Sequence, residues 1–357
     1  MSKNYLSVLK KSLLGLILAG LALSVTACGG GSKKNATPAK TDGKVVEISV
    51  GYENAKAEPA AIAVEKWKEL VEKKSNGTIK LKLFPNSALG KKTDLIDQMV
   101  MGQKVITVAD GAFLAEYGVP DFGIFYAPFM FDSWDEEWNV IESDWYKGLC
   151  DQLAAKGGIR VLSSNWIYGA RHIMSTKKVV LPSDLKSLKM RVSSNDLSIV
   201  SFKDLGANAL GMDMGEVYQA LQAGTIDAVE NPLTSLANRS FQEVAKYVVL
   251  DNHILATSMW ICGEKFFKTL TPEQQKVLAE TADEAGIYNN QLYDQATKDA
   301  TEKLIKAGVT ITELTPVQKE EWVKAGQKFY QQDTAKLKWT ENLYKTVKEA
   351  GKKSANK

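Results

Sequence analysis

Apolar residues alternate with polar ones at Val46, Ile48 and Val50, and again at Ile79, Leu81 and Leu83. A period of two predicts half-buried strands at both places. Between them Ala63, Trp67, Leu70 and Val71 recur at helical spacing, in a segment opened by Pro59 and ended by Asn76-Gly77. Strand, helix and strand in that order predict a right-handed β-α-β unit. A second helix over 93–101 leads through Gly102 to a third strand, 105–109.

Residues 133–156 read as helical, and their Trp134, Trp138 and Trp145 read as packing residues. A strand follows at 159–163, and Asn165-Trp166-Ile167-Tyr168 carries the chain towards a second domain. There KMRV at 189–192 is a strand ending on Arg191. Asp213 and Glu216 have capping-box spacing for a helix with Val217, Ala220 and Leu221 on one face, and Gly224 can end it in the left-handed conformation. A strand over 225–229 runs into Glu230-Asn231-Pro232, and another at 258–262 marks the return to the first domain. Thr271-Pro272, with Gln274 beyond, starts a helix that no proline interrupts before Lys306 and whose interior holds one glycine, Gly286. A last strand over 309–314 precedes a lysine-rich, helical, solvent-facing end.

The expected fold class is α/β, with two domains. Glu53, Asn54 and Asp110 follow strands of the first, and Arg191 and Asn231 follow strands of the second. In open α/β sheets ligands bind beyond the carboxyl ends of strands, so these five converge on one cleft.

Three motifs carry a resemblance: YGAR at 168–171, KMRV at 189–192 and EVYQALQAGTIDAVENP at 216–232. Together they resemble the solute-binding proteins of tripartite ATP-independent periplasmic (TRAP) transporters, the DctP-like family, from about Val46 to the end. The sequence departs from the pattern at NALGMDMG, where the family has a proline-rich turn, and at Ala228, where it has glycine. The resemblance implies a periplasmic-binding-protein-like fold with a hinge and a long helix spanning both domains. The implied division is 44–168 plus 257–296 for the first domain and 169–256 plus 297–350 for the second. It also implies that Arg191 holds a ligand carboxylate, that Asn231 donates to the same group, and that Arg171 assists.

The start of the chain bears on location. Lys3, Lys10 and Lys11 precede an apolar run, 13–25, and Val25-Thr26-Ala27-Cys28 follows. That is the form of a lipoprotein signal peptide over 1–27, with Cys28 as the lipidated first residue. GGGSKKNATPAKTDG, within 28–43, suits a flexible tether to the membrane. Three lysines leave with the signal, so the formal charge of +3 becomes 0. Nothing in that balance favours nucleic acid. Cys150 and Cys262 remain and are expected as buried free thiols; there is no Cys/His spacing for zinc, and no cofactor is expected.

An arginine fork holds a carboxylate through two charge-assisted hydrogen bonds, which suits Arg191 and Arg171 to an organic acid. The competing reading pairs Arg191 internally with Asp184 or Asp227. Glu53, Asn54 and Asp110 suit hydroxyls, or else serve as caps and loop hydrogen-bonders. Trp166 and Tyr168 wall the pocket or pack. His172 and His253, the only histidines, cannot make a full metal site by themselves. The G-x-S-x-G, G-x-x-x-x-G-K, G-x-G-x-x-G and H-E-x-x-H motifs are absent, which together with the tether and an arginine-lined cleft favours binding over catalysis. The expected protein is a monomeric carrier of a sugar acid or C4-dicarboxylate for membrane permease subunits. A secreted hydrolase or lyase, or a receptor for a membrane sensor, is the alternative.

Overall fold

The computed structural model describes residues 45–331 and 334–352. The expected signal peptide and tether, with Cys28, lie outside the described residues. Nine strands form one sheet: β1 (Val46–Gly51), β2 (Ile79–Phe84), β3 (Val105–Ala109), β4 (Ile159–Ser175), β5 (Lys189–Val192), β6 (Asn208–Gly211), β7 (Ala228–Pro232), β8 (Tyr247–Gly263) and β9 (Thr310–Glu313). Their order is β2-β1-β3-β8-β4-β7-β5-β6, with β9 also paired to β8.

The two 17-residue strands, β4 and β8, decide the architecture. They run antiparallel along most of their length, and each serves both domains. At one end β8 pairs with β3, Ile106 opposite Cys262, so β1, β2 and β3 form the first domain's sheet. At the other end β4 pairs with β7, Arg171 opposite Pro232, so β5, β6 and β7 form the second's. Register shifts interrupt the β4–β8 ladder between Val161 and Ser163, Ser163 and Trp166, Ile167 and Gly169, and Arg171 and Ile173. Bulges of this kind bend strands, and here they lie where the chain passes between domains.

Local sequence suggested short separate strands at 159–163 and 258–262. The polar run Ser163-Ser164-Asn165 looked like a strand end, yet each of its side chains has a partner. Ser163 Oγ donates to Asn165 Oδ1 at 2.9 Å, the Tyr146 hydroxyl lies 2.6 Å from Ser164 Oγ, and Asn165 Nδ2 donates to the Asp283 carbonyl at 3.0 Å. Satisfied polar groups let the strand continue.

The long helix is Pro272–Lys306, closed at its start by the Thr271–Gln274 capping box. Leu278, Ala282 and Ala285 lie in the first domain's core and Ala300 and Leu304 in the second's, so the helix spans both. Its interior glycine has a steric cause. A Cβ on Gly286 would sit 2.0 Å from Asn165 Oδ1 and 2.8 Å from Trp166.

Three other local expectations shift. Asp213 makes no cap: a short 3-10 turn, Met214–Glu216, precedes the helix Val217–Gln222, and the Asp213 carboxylate pairs with Lys91 instead. After Gly224, at φ +68°, the N–H groups of Thr225 and Ile226 fold back to the Ala220 carbonyl at 2.9 and 3.3 Å, so the strand starts later than 225. The C-terminal end is not merely solvent-facing. In the helix Pro316–Gln331, Trp322 is buried and donates to the Val180 carbonyl at 2.9 Å. The helix Leu343–Ala350 buries Leu343 and Val347 beside Val140, and its Lys348 meets Glu136 at 2.9 Å. That helix therefore packs on the first domain's helix Trp134–Glu142, which does not fit the assignment of all of 297–350 to the second domain.

Candidate binding site

A cleft enclosing about 560 Å³, its mouth included, lies where the two domains face each other. Glu53, Asn54, Asp110, Tyr168, Arg171, Arg191 and Asn231 all line it, together with Lys92, Phe113, Tyr126, Ser193, Met212 and Met214. Strand ends deliver the first domain's groups: β1 runs into Glu53 and Asn54, and β3 into Asp110. β4, β5 and β7 deliver Arg171, Arg191 and Asn231.

Trp166 does not belong to the cleft. Fully buried, it packs edge-on against Trp67 and Trp260, at 6.4 and 5.2 Å between ring centroids, and donates to the Ala282 carbonyl at 3.0 Å. Strict alternation would put Trp166 and Tyr168, two residues apart, on one face. The register shift between Ile167 and Gly169 breaks it, and Tyr168 lines the cleft while Trp166 stays in the core.

The two arginines differ in their partners. Arg171 makes a two-pronged pair with Glu230, Nε to Oε2 at 2.6 Å and Nη2 to Oε1 at 2.7 Å, with both side chains almost wholly buried. Its guanidinium also stacks over the Tyr126 and Tyr168 rings. Behind the pair, His253 Nε2 lies 3.2 Å from Glu230 Oε2, and its Nδ1 lies 2.8 Å from Asp251 Oδ2. Burial would raise Glu230, but Arg171 and His253 outweigh it and hold its carboxyl at about 2. Burial would lower His253, but Asp251 and Glu230 push it up to about 9. His172, whose Nδ1 makes no hydrogen bond, is pulled down to about 3 by burial, with His253 and Arg171 adding to the effect.

Arg191 meets neither Asp184 nor Asp227. Asp184 accepts from the N–H groups of Val180 and Leu181, and Asp227 from that of Lys189. Instead Arg191 Nε donates to the Met212 carbonyl at 2.8 Å, within the NALGMDMG segment, and Nη1 is buried with no hydrogen-bond partner. Among the described residues no carboxylate comes within 4 Å of it. Arg191 is 3% exposed, and a buried donor left without a partner is costly.

The first domain's wall carries one lysine against two acids. Lys92 Nζ lies 3.0 Å from Glu53 Oε2 and 4.5 Å from the centre of the Phe113 ring. Burial would raise Glu53, yet Lys92 holds it below the ordinary range. Asp110 accepts from the N–H groups of Ala112 and Phe113 at 3.0 and 3.3 Å, so it caps a short helix; burial raises its carboxyl, with Lys92 and Arg171 only partly offsetting. Asn54 donates to Glu58 Oε2 at 2.8 Å. The Tyr168 hydroxyl donates to Asn231 Oδ1 at 2.6 Å, which leaves the amide N–H₂ as the free edge of Asn231.

Sequence reasoning missed Lys92, Glu230, His253 and Asp251 as parts of this site. Glu230 stood in plain view beside Asn231, but its partner is 59 residues away. Lys92 carried no local signal at all. Among the described residues, no group of three or more His, Cys, Asp or Glu side chains could hold a metal ion. Cys150 and Cys262 are free thiols, Cys262 fully buried and Cys150 partly.

Residues 50–337 match the family model DctP, bacterial extracellular solute-binding protein, family 7. The chain belongs to the DctP family. These are the solute-binding proteins of TRAP transporters. This DctP-family chain is 31% identical over 269 residues to the 2,3-diketo-L-gulonate-binding periplasmic protein YiaO of Escherichia coli, covering 75% of this chain and 81% of that one. It also resembles the crystal structure of a TRAP periplasmic solute-binding protein from Ochrobacterium anthropi with bound L-fuconate. That likeness has a TM-score of 0.82 and 37% identity, and it covers 86% of this chain and 100% of the other. A second such structure, from Actinobacillus succinogenes with bound L-galactonate, gives 0.81 and 36%, over 86% and 99%. The two-domain fold is that of these DctP-family proteins.

Proposed function

We propose that this protein is the extracytoplasmic solute-binding component of a TRAP transporter and that it captures a sugar acid. The observation that carries the reading is Arg191, buried in the cleft with Nη1 unpaired. A ligand carboxylate supplies what that donor lacks, and the free N–H₂ edge of Asn231 donates to the same group. Arg171, already committed to Glu230, supports the carboxylate from behind with charge rather than with its main fork. Glu53, Asn54 and Asp110 face the ligand's hydroxyls.

A second ligand carboxylate is disfavoured on that wall. Lys92 balances one of the two acids there and leaves the other, so the wall is net negative. A hydroxylated monocarboxylate fits better than a plain dicarboxylate. The L-fuconate and L-galactonate held by the two similar structures are acids of that kind.

The ligand leaves unchanged, delivered to membrane permease subunits. Cys28 carries the lipid that tethers the processed chain, a monomer, outside the membrane. The long helix, β4 and β8 form the hinge between the domains.

Titration calorimetry with L-galactonate, L-fuconate and succinate tests the reading. The sugar acids are expected to bind the tighter, each recovered intact after denaturation. Succinate outbinding both, or a chemically altered acid in the recovered sample, would overturn it.

A further inference from the structure

Arg239 touches both domains without lining the cleft. It follows the second domain's helix Leu233–Asn238, and its Nε donates to Ser235 Oγ at 3.2 Å. Across the interface, its Nη2 donates to the Glu53 carbonyl and lies 3.7 Å from Glu58 Oε1. Glu53 and Glu58 follow β1, so these partners stand 186 and 181 residues away in the other domain.

Each partner of Arg239 leads to a lining residue. Glu58 also accepts from Asn54 Nδ2 and from the Ala55 N–H, both at 2.8 Å. Ser235 Oγ lies 3.4 Å from the Tyr168 hydroxyl, which holds Asn231. Arg239 thus bonds Glu53 directly and is one partner removed from Asn54 and Tyr168.

A second cross-cleft contact provides the comparison. Lys91 pairs with Asp213 and, at 3.5 Å, with Glu216. The Lys91 side chain is 55% exposed, so water and salt screen that pair and it contributes little. Arg239 is 14% exposed and Glu58 1%. A pair so placed is screened much less. Separating the domains removes Glu58's nearest cation.

We propose that Arg239 is the latch of the closed form and a positioning residue for the cleft: its contacts with Glu53 and Glu58 form as the domains close and set Asn54 and Tyr168 for the ligand. The proposal rests on the reading that an organic acid closes this cleft, but not on which acid.

Arg239→Ala, Arg239→Lys and Glu58→Gln in the full chain test it. The titrant is whichever of L-galactonate, L-fuconate and succinate raises the wild-type unfolding midpoint most. Arg239→Ala is expected to weaken binding about tenfold or more, chiefly as faster dissociation, because a closed-state contact acts on release. Its ligand-free unfolding midpoint is expected to stay at the wild-type value, since the latch is absent from the open form. Arg239→Lys should recover part of the affinity, keeping the charge and losing the fork. Glu58→Gln should weaken binding too, and adding it to Arg239→Ala should cost little more. Affinity within about threefold of wild type in Arg239→Ala overturns the latch. So does an equal fall in the ligand-free midpoint, which marks a fold-stabilising residue. If succinate is the acid that binds, the sugar-acid reading fails, and the latch is scored by the same ratios.

Discussion

The Arg171 guanidinium and the Glu230 carboxylate meet in two parallel hydrogen bonds of 2.6 and 2.7 Å, across the paired strands β4 and β7. That pairing occupies one whole edge of the guanidinium, Nε and Nη2. Arg191, on the adjoining strand β5, has no such acid and keeps a buried donor free. Two arginines of one cleft therefore have different tasks, and their variants should fail differently.

Arg171→Ala should fail in stability. It strands the buried Glu230 carboxylate with His253 alone, and breaking a buried pair costs about 3–5 kcal/mol. Urea unfolding should show that loss, and Glu230→Gln in the same chain should restore part of it. The pair also sets an acid limit. Glu230 sits at about 2 rather than its ordinary 4.5, so its contribution is complete above pH 4.5 and is lost as pH falls through 2. An Arg171→Ala protein as stable as the parent would contradict this assignment.

Arg191→Ala should fail in binding. Truncating one side of a desolvated charge pair costs about 2–5 kcal/mol, or roughly 30- to several-thousand-fold in affinity. Ligand-free stability should hold or rise, because the change removes a buried, unpaired cation. Calorimetry with circular dichroism reads both quantities. Arg191→Lys should recover part of the affinity. A folded Arg191→Ala that binds like the parent would move the anion site elsewhere.

Glu137 predicts an alkaline weakness. It is fully buried on the helix Trp134–Glu142; its Oε1 accepts from Thr257 Oγ1 at 2.6 Å and its Oε2 has no partner. Burial raises its carboxyl from 4.5 to about 8. A raised acid holds its proton in the folded state, so stability is greatest below pH 4.5 and declines as pH rises through 8. Glu137→Gln should flatten that decline and unfold at a higher temperature than the parent at pH 9. Parallel melting curves for the two proteins across pH 5, 7 and 9 would show that Glu137 ionises without cost.

Cys28→Ser should change where the protein is found. If Cys28 carries the anchor, the variant leaves the membrane fraction or keeps an uncleaved signal. Fractionation followed by mass measurement of the N-terminus distinguishes these. Unchanged partition with normal cleavage would show that the cysteine is incidental.

The sequence by itself determined most of the parts. Alternation at Val46–Val50 and Ile79–Leu83, helical spacing at Ala63–Val71, and the Thr271–Gln274 box are short-range patterns, and the elements they specify formed where expected. Because strand ends in such a sheet share one edge, Glu53, Asp110, Arg191 and Asn231 could be placed on one cleft without knowing their contacts. The tertiary structure alone decided the rest. Desolvating one face together turned Trp166 into core, joined β4 into one strand, and drew the Asp213 carboxylate to Lys91 rather than to a cap. It also chose the charge partners: Glu230 for Arg171, Lys92 for Glu53, and none for Arg191. Ion pairing depends on which groups lose water side by side, and those groups lie tens to hundreds of residues apart along the chain. Local periodicity does not encode that choice; packing does.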